Sequence, residues 1–490
     1  MSTHRILIFL LLSMVYTMGY AQYKNNKWLL GIQGDPPFPF GGSRIEFSNQ
    51  TRIITHDPRS IRFSECFTGI SDPADEWFVY SNGSVICNQN HDTLVNGAGL
   101  SPGGSQSFIY GGAPTPNQAV FLTGDTLSQT VILMHLNLAL GVAIPPPFNN
   151  MGTSICGLNL YYSLIDPLAS AGRGEVLVKN QVVLSDSVEA GNVLAVRHAN
   201  GRDWWVVVRR YYEDRFYSVL VSSDSVYAPV TSTTQSSSAV IAGQASVSPD
   251  GRYYASFSNL SQLKVYDFDR CSGVMSNYRG KLITQRMAGS VSFSGNSRFL
   301  YISTLDTLWQ FDMQAPDVMA SQTFIASYDG YIDTTFGNAT GFWFHWLGPD
   351  GKIYIATSNQ SRVIHVINKP DLPGQACDFQ QHSLVIPRVN NWTIPSYVNL
   401  ALYHLPGSPC DTLGVGIEKV GKAEQKPLIF PNPNDGRFSI EYPPQRTSGM
   451  LYVYDLTGKE VYREYVSPFS SIKNLDLHQE LSKGMYALTL

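Results

Sequence analysis

Three stretches of this 490-residue chain repeat one pattern, and that repeat limits the folds open to it more than any other feature. Val247–Asp269 reads VSPDGRYYASFSNLSQLKVYDFD, Val291–Asp312 reads VSFSGNSRFLYISTLDTLWQFD, and Leu347–Asn368 reads LGPDGKIYIATSNQSRVIHVIN. Each opens on a strand end and turns at Pro249-Asp250-Gly251, Gly295-Asn296 or Pro349-Asp350-Gly351. Each then runs on as an alternating strand, a polar turn and a second strand ending near an acidic or amide residue. Proline presets φ at the first corner of such a turn, and glycine accepts a positive φ at a later one. Alternation sets one side of each strand against a neighbouring sheet. Turn to turn, the units lie 46 and 54 residues apart. Four-stranded sheets arrayed about an axis recur at roughly 40 to 50 residues, so the period predicts a β-propeller.

Earlier segments fit the same architecture. Trp77–Ile86 (WFVYSNGSVI) reads as a hairpin about Asn82-Gly83, the strongest short hairpin signal. Leu158–Asp166 with Gly174–Val183 makes a strand pair, and Val193–Val221 turns at Asn200-Gly201 and again near Glu213-Asp214. Val131–Val142 is too short to span a membrane and contains His135 and Asn137, so it reads as a buried strand. About seven blades, of the WD-repeat or YVTN-like kind, would fill the chain to Asp411. A set of β-sandwiches sharing the same turn chemistry is the alternative. The 27 Tyr, 24 Phe and 8 Trp suit strands, and the 41 Gly and 28 Pro supply turns. Charged residues make up only 15% of the chain and the formal net charge is −4, with no basic run. That balance argues against a nucleic-acid partner, which needs a clustered cationic face.

The two ends carry different signals. Residues 1–21 read as a secretory signal peptide, with His4 and Arg5, an apolar run from Ile6 to Val15, and small Gly19 and Ala21 before the cut. No later stretch reaches spanning length, so no transmembrane segment is expected after cleavage. Export permits disulfides among the six cysteines. Cys377 and Cys410 are one candidate pair, buried free thiols are the alternative, and sequence does not fix the connectivity. A body is expected over 22–411 and a linker over 412–426. A small Ig-like β-sandwich follows over 427–490, built from strands after Asn434-Asp435-Gly436, about the Thr457-Gly458 hairpin, and near the end.

Phe430-Pro431-Asn432-Pro433, then Asn434-Asp435-Gly436, YDLTGKEV, LDL and KGMY resemble, in order and spacing, the type A sorting domain of the type IX secretion system. The resemblance implies that Pro431, Asn432, Pro433, Gly436, Asp455, Gly458, Gly484 and Tyr486 form the sorting motif. It also implies that the outer-membrane translocon reads this domain and that a sortase-like peptidase removes it, leaving the body secreted or on the cell surface. The family continues past its G-x-Y element through a final basic strand, whereas this chain stops at Leu490, so an open edge is expected there. WFVYSNGSVICNQNHDTLVNGAGL, AVRHANGRDWWVVV, SVSPDGRYYA with YDFDRCSG, and GSPCDTLG resemble uncharacterised secreted proteins with propeller-like repeats from the same bacteria. That likeness implies a fold and no activity.

The body offers few residues for chemistry. H-E-x-x-H, clustered Cys/His ligands and G-x-S-x-G do not occur, so no catalytic, metal or cofactor residue is assigned. His198 and Asp203 in RHANGRDWW could form an acid/base pair, though a hairpin turn with a capping histidine explains them too. Trp343, His345 and Trp346 in GFWFHWLGPD could present rings to a sugar, with packing between blades as the alternative. The expected function is therefore a non-catalytic, exported propeller that binds a protein or glycan partner. A propeller enzyme acting on extracellular glycans, a hydrolase or lyase, is the runner-up.

Overall fold

The structure is a computed structural model. It describes residues 25–489 except 32–37, 48–51, 73–75, 104–111, 124–129, 144–152, 224, 235–242, 259–261, 284–289, 394, 412–427, 433, 443–447, 469 and 483. The expected signal peptide, the expected linker and Pro433 lie outside the described residues.

Strands dominate and fall into consecutive antiparallel groups. The first sheet holds β1 (Lys27–Gly31), β2 (Gly42–Phe47) and β3 (Arg52–His56). The second holds β4 (Thr68–Ser71), β5 (Phe78–Ser81), β6 (Val85–Asn88) and β7 (Thr93–Ala98). The third holds β8 (Ala119–Thr123), β9 (Val131–Ala143), β10 (Thr153–Asp166) and β11 (Glu175–Glu189). The fourth runs β12 (Leu194–Arg197), β13 (Trp204–Arg209), β14 (Arg215–Val221) and β15 (Val230–Thr233). The fifth runs β16 (Gly243–Val247), β17 (Tyr253–Ser258), β18 (Gln262–Phe268) and β19 (Met275–Leu282). The sixth runs β20 (Ser290–Phe293), β21 (Phe299–Ser303), β22 (Thr307–Asp312) and β23 (Thr323–Ser327). A short hairpin, β24 (Ile332–Asp333) and β25 (Asn338–Ala339), precedes the seventh: β26 (Phe342–Leu347), β27 (Ile353–Thr357), β28 (Ser361–Ile367) and β29 (Phe379–Asn390). The long outer strands of the third sheet reach back to the second, where β11 pairs parallel with β7.

Seven apolar cores join these sheets into a ring. Leu29 and Phe63 meet Phe78 and Tyr80 between the first and second sheets. Val79 meets Phe121 and Leu133 between the second and third, and Met134 meets Trp204 and Val206 between the third and fourth. Trp205 and Phe216 meet Tyr254 and Tyr266, Phe257 meets Leu300, and Tyr301 meets Ile353 across the next three junctions. The circuit closes where Trp28, Ile45 and Phe47 of the first sheet pack on Tyr354 and Ile364 of the seventh. A strand buried on both faces lets each sheet serve two cores, which is why β5, β17, β21 and β27 are almost wholly apolar or small. The expected β-propeller is present: among the described residues the body falls into seven strand groups, the second and third of them joined into one eight-stranded sheet.

The repeated turns explain the regularity. Gly251, Gly351 and Ser297 occupy the same position of their turns at φ +74°, +75° and +60°, each donating its N–H three residues back. In the middle unit a serine takes the left-handed position, and the adjacent Asn296 carboxamide accepts from Ser294 Oγ at 2.7 Å.

From the second sheet to the seventh, the first strands β4, β8, β12, β16, β20 and β26 lie beside one another in turn, which puts them innermost. After β29 the chain returns across the ring. Ser396 N–H donates to Phe67 O, Tyr397 packs on both cores that flank the first sheet, and Asn399 Nδ2 donates to Pro249 O at 2.7 Å. A disulfide then joins Cys410 to Cys271 with Cα atoms 5.5 Å apart. This corrects the candidate Cys377–Cys410 pair: Cys377 is a buried free thiol in the core between the sixth and seventh sheets, out of reach of the returning segment.

The C-terminal unit comprises β30 (Leu428–Phe430), β31 (Arg437–Glu441), β32 (Gly449–Asp455), β33 (Glu460–Val466), β34 (Ile472–Asp476) and β35 (Tyr486–Thr489). They form two three-stranded sheets, β30-β31-β34 and β33-β32-β35, around Ile440, Tyr442, Leu451, Val453, Val466, Leu475 and Leu477. β35 stands at a sheet edge.

Candidate functional site

In the C-terminal unit, strand register brings two of the expected motif residues together. Asp455 lies opposite Tyr486 where β32 pairs with β35. The Asp455 carboxylate closes its hairpin by accepting from Thr457 N–H at 2.8 Å, Thr457 Oγ1 at 2.6 Å and Lys459 N–H at 3.0 Å, and these bonds hold its pKa below the usual range. Gly458 completes that turn at φ +83°. Asn434 Nδ2 donates to Pro431 O and its Oδ1 accepts from Gly436 N–H, so the loop after β30 is locally tied. Gly436 sits at φ +99°, and a Cβ there would stand 2.6 Å from His478 Cα. Asn432 is exposed in the same loop, Gly484 lies just before β35, and Tyr486 donates its hydroxyl to Ser482 O at 2.8 Å.

A family comparison decides the nature of this unit: residues 428–490 match the secretion system C-terminal sorting domain. The chain ends in a type IX sorting domain. That tail implies secretion, with a cell-surface or extracellular destination. No curated protein sequence matches the chain. Among solved structures, a provisional 6-phosphogluconolactonase of Bacteroides uniformis is 12% identical, with 74% of this chain and 96% of that one covered at a TM-score of 0.43. A Lactobacillus plantarum protein is 13% identical, covering 74% and 98%, with a TM-score of 0.41. The Cps50 (Swd1) β-propeller domain of Myceliophteria thermophila is 8% identical, covering 67% and 89%, with a TM-score of 0.35. Likeness at this level says nothing about activity.

Within the propeller ahead of the sorting domain, His198 and Asp203 face each other across the β12–β13 turn. His198 N–H donates to Asp203 O at 2.8 Å, His198 Nδ1 accepts from Asn200 N–H at 3.1 Å, and Nε2 donates to Cys271 O at 3.1 Å. The Asp203 carboxylate accepts from Asn200 Nδ2 at 2.6 Å and from Arg202 Nε at 3.0 Å. Arg270, buried beside them, donates to the carbonyls of Arg197, His198 and Tyr403. Leu405 N–H donates to Ala199 O. The group thus clamps the fourth sheet, the disulfide loop and the returning segment together.

Trp343, His345 and Trp346 part ways because a bulge interrupts β26 between Phe342 and His345. Trp343 and Trp346 are half-buried against the core between the seventh and first sheets, with Trp343 5.9 Å from Trp392. His345 turns to the centre of the ring and is fully buried. Its Nε2 bonds Ser303 Oγ at 2.8 Å, its N–H bonds Ser290 Oγ at 2.8 Å, and its carbonyl accepts from Gln244 Nε2 at 2.6 Å. Burial, with His365 nearby, pushes its pKa down to about 3, so the imidazole is neutral. Three innermost strands, β16, β20 and β26, are stitched here. Asn117, just before β8, reaches Ala245 O at 3.1 Å and ties in the third sheet.

One group has no sequence signal that reveals it. Arg209, fully buried at the end of β13, bonds Glu189 at 2.9 Å and Asp214 at 3.0 Å. Tyr266 also donates to Asp214, and Lys264 lies 4.0 Å from it. Burial raises the Glu189 pKa against the pull of Arg209, and burial with Arg209 lowers Lys264 to about 7. Among the described residues, no group of three or more His, Cys, Asp or Glu side chains is placed to hold a metal ion.

Proposed function

We propose that this chain is a non-catalytic binding protein: a propeller body over 22–411, joined through 412–426 to the sorting domain that exports it to the cell surface. The matched sorting domain carries the export half of this reading. The non-catalytic half is supported by how the candidate acid/base groups are used. His198 and Asp203 are spent on turn and clamp hydrogen bonds, and His345 is buried and neutral. A general acid or base needs a reachable group with a pKa near the working pH. The translocon and a sortase-like peptidase are the expected processing partners, and the body's ligand is an extracellular protein or glycan.

Export is tested by deleting 427–490 and locating the protein by surface proteolysis of intact cells. Periplasmic retention is expected, and surface delivery without the segment refutes the address. An activity screen of the purified mature body against glycans, peptides and esters tests the other half. Turnover of any of them would overturn the non-catalytic reading.

A further inference from the structure

Three departures from the blade repeat meet on one surface beside the seventh sheet. The hairpin β24–β25 is inserted between β23 and β26. β29 bulges, so that the four-residue step from Gln380 to Leu384 faces the two-residue step from Val366 to Ile364, and His382 takes φ +40° within the bulge. The loop Phe38–Phe40 from the first sheet closes the far side, with Phe40 packed 5.4 Å from Phe336 of the inserted hairpin. Bulges that re-aim a side chain concentrate near functional sites. This one lays the His382 ring under Tyr331 at 4.2 Å and 23°. Asp329 fixes both, accepting from His382 Nε2 at 2.9 Å and from Tyr331 N–H at 3.0 Å. Asp333 accepts from Arg362 N–H at 2.7 Å, and the guanidinium groups of Arg362 and Arg388 lie 5.0 and 5.6 Å from the Phe38 ring.

The apolar side chains along this circuit are open to water: Phe38 is 59% exposed, Ile332 46%, Phe336 39% and Tyr331 38%. Tyr331 is stacked on an imidazole, and Phe38 lies against two guanidinium groups. A protein partner needs roughly 800 Å² on each side of a stable interface, drawn from about 20 residues. Four apolar side chains fall far short of that. They match a small rigid ligand that offers an apolar face and a polar rim. A pyranose does so, with C–H bonds on its face and hydroxyls around its edge. We propose that this surface binds a carbohydrate chain, stacking sugar rings on Tyr331, Phe336 and Phe38 and bonding hydroxyls through Asp329 and Arg362. The inference rests on the reading of the propeller as a binding protein and names its site and ligand class.

The test is titration calorimetry of the mature protein with chitohexaose, cellohexaose, xylohexaose and mannohexaose, backed by a glycan array. Tyr331→Ala and Phe336→Ala are expected to weaken the bound sugar about tenfold or more, the scale of one lost stacking contact. Tyr331→Phe keeps the ring and should bind like the parent, as should Leu177→Ala, an exposed apolar position on the third sheet. Matching circular dichroism melts exclude misfolding of the variants. If the parent binds a sugar and both alanine variants bind it equally well, the site assignment falls and the binding-protein reading stands. Binding of no glycan overturns the ligand class. Release of shorter sugars during titration would instead overturn the non-catalytic reading itself.

Discussion

Cys271, in the β18–β19 loop, and Cys410, at the end of the returning segment, are bonded across a separation of 139 residues. The bond fastens the last described stretch of the propeller to its fifth sheet. The Arg270 and His198 hydrogen bonds hold the same junction from the other side.

Cys410→Ser should therefore cost stability even though no core residue changes. Closing so long a loop restricts the unfolded chain, and such bonds are worth about 2–4 kcal/mol. Thermal melts of the parent, the variant and the parent in reductant check this. The last two should coincide below the first; three superimposable melts would show that the bond does not bear on stability.

Stability should fall with acid through the buried histidines. His345 and His135 have pKa values pushed down to about 3 by burial, against 6.5 in an exposed chain. Between these values the unfolded state binds protons that the folded state refuses. Their contribution is thus complete above about pH 6.5 and is lost as pH falls toward 3, at up to about 1.4 kcal/mol per pH unit for each histidine. Urea midpoints from pH 7 to pH 4 should drop, and His345→Gln should flatten that slope whatever it does to the value at pH 7. An unchanged slope in the variant would remove His345 from the account.

Arg209→Met should be severely destabilising, by about 3–5 kcal/mol, because it strands Glu189 and Asp214 without their guanidinium. Lys264, 4.0 Å from Asp214, is too far to replace the two bonds at 2.9 and 3.0 Å. Chemical denaturation measures the loss. The triple change that also neutralises Glu189 and Asp214 should recover part of it.

Gly436→Val should block export without touching the propeller. A valine Cβ would stand 2.6 Å from His478 Cα, at a φ that side chains rarely adopt. The sandwich edge must shift, and the surface-exposed fraction should drop. Gly449→Ala, where a Cβ meets nothing within 4 Å, is the matched control. Equal surface delivery of both variants would separate the recognised address from the packing at Gly436.

Much of the architecture was written in the sequence. The Pro-Asp-Gly and Asn-Gly turns, strand alternation and a period near fifty residues specify blades, because turn chemistry and the two-residue pleat act locally. The sorting domain was legible for the same reason: its motif residues lie in short ordered runs. What the sequence left open depends on residues far apart in the chain. The partner of Cys410 was set by the path of residues 395–411 back across the ring. The fates of Trp343, His345 and Trp346 were set by one bulge, which sent the two indoles to the core between the seventh and first sheets and the imidazole to the innermost strands. The Arg209 cluster draws on β11, β13, β18 and the β13–β14 turn, none of which shows a charge pattern alone. Tyr331 meets His382 through the bulge in β29, and Phe38 meets Arg362 and Arg388 only because the seventh sheet closes the ring against the first. Local rules gave the strands and turns; closure of the ring decided which side chains are buried and which face water.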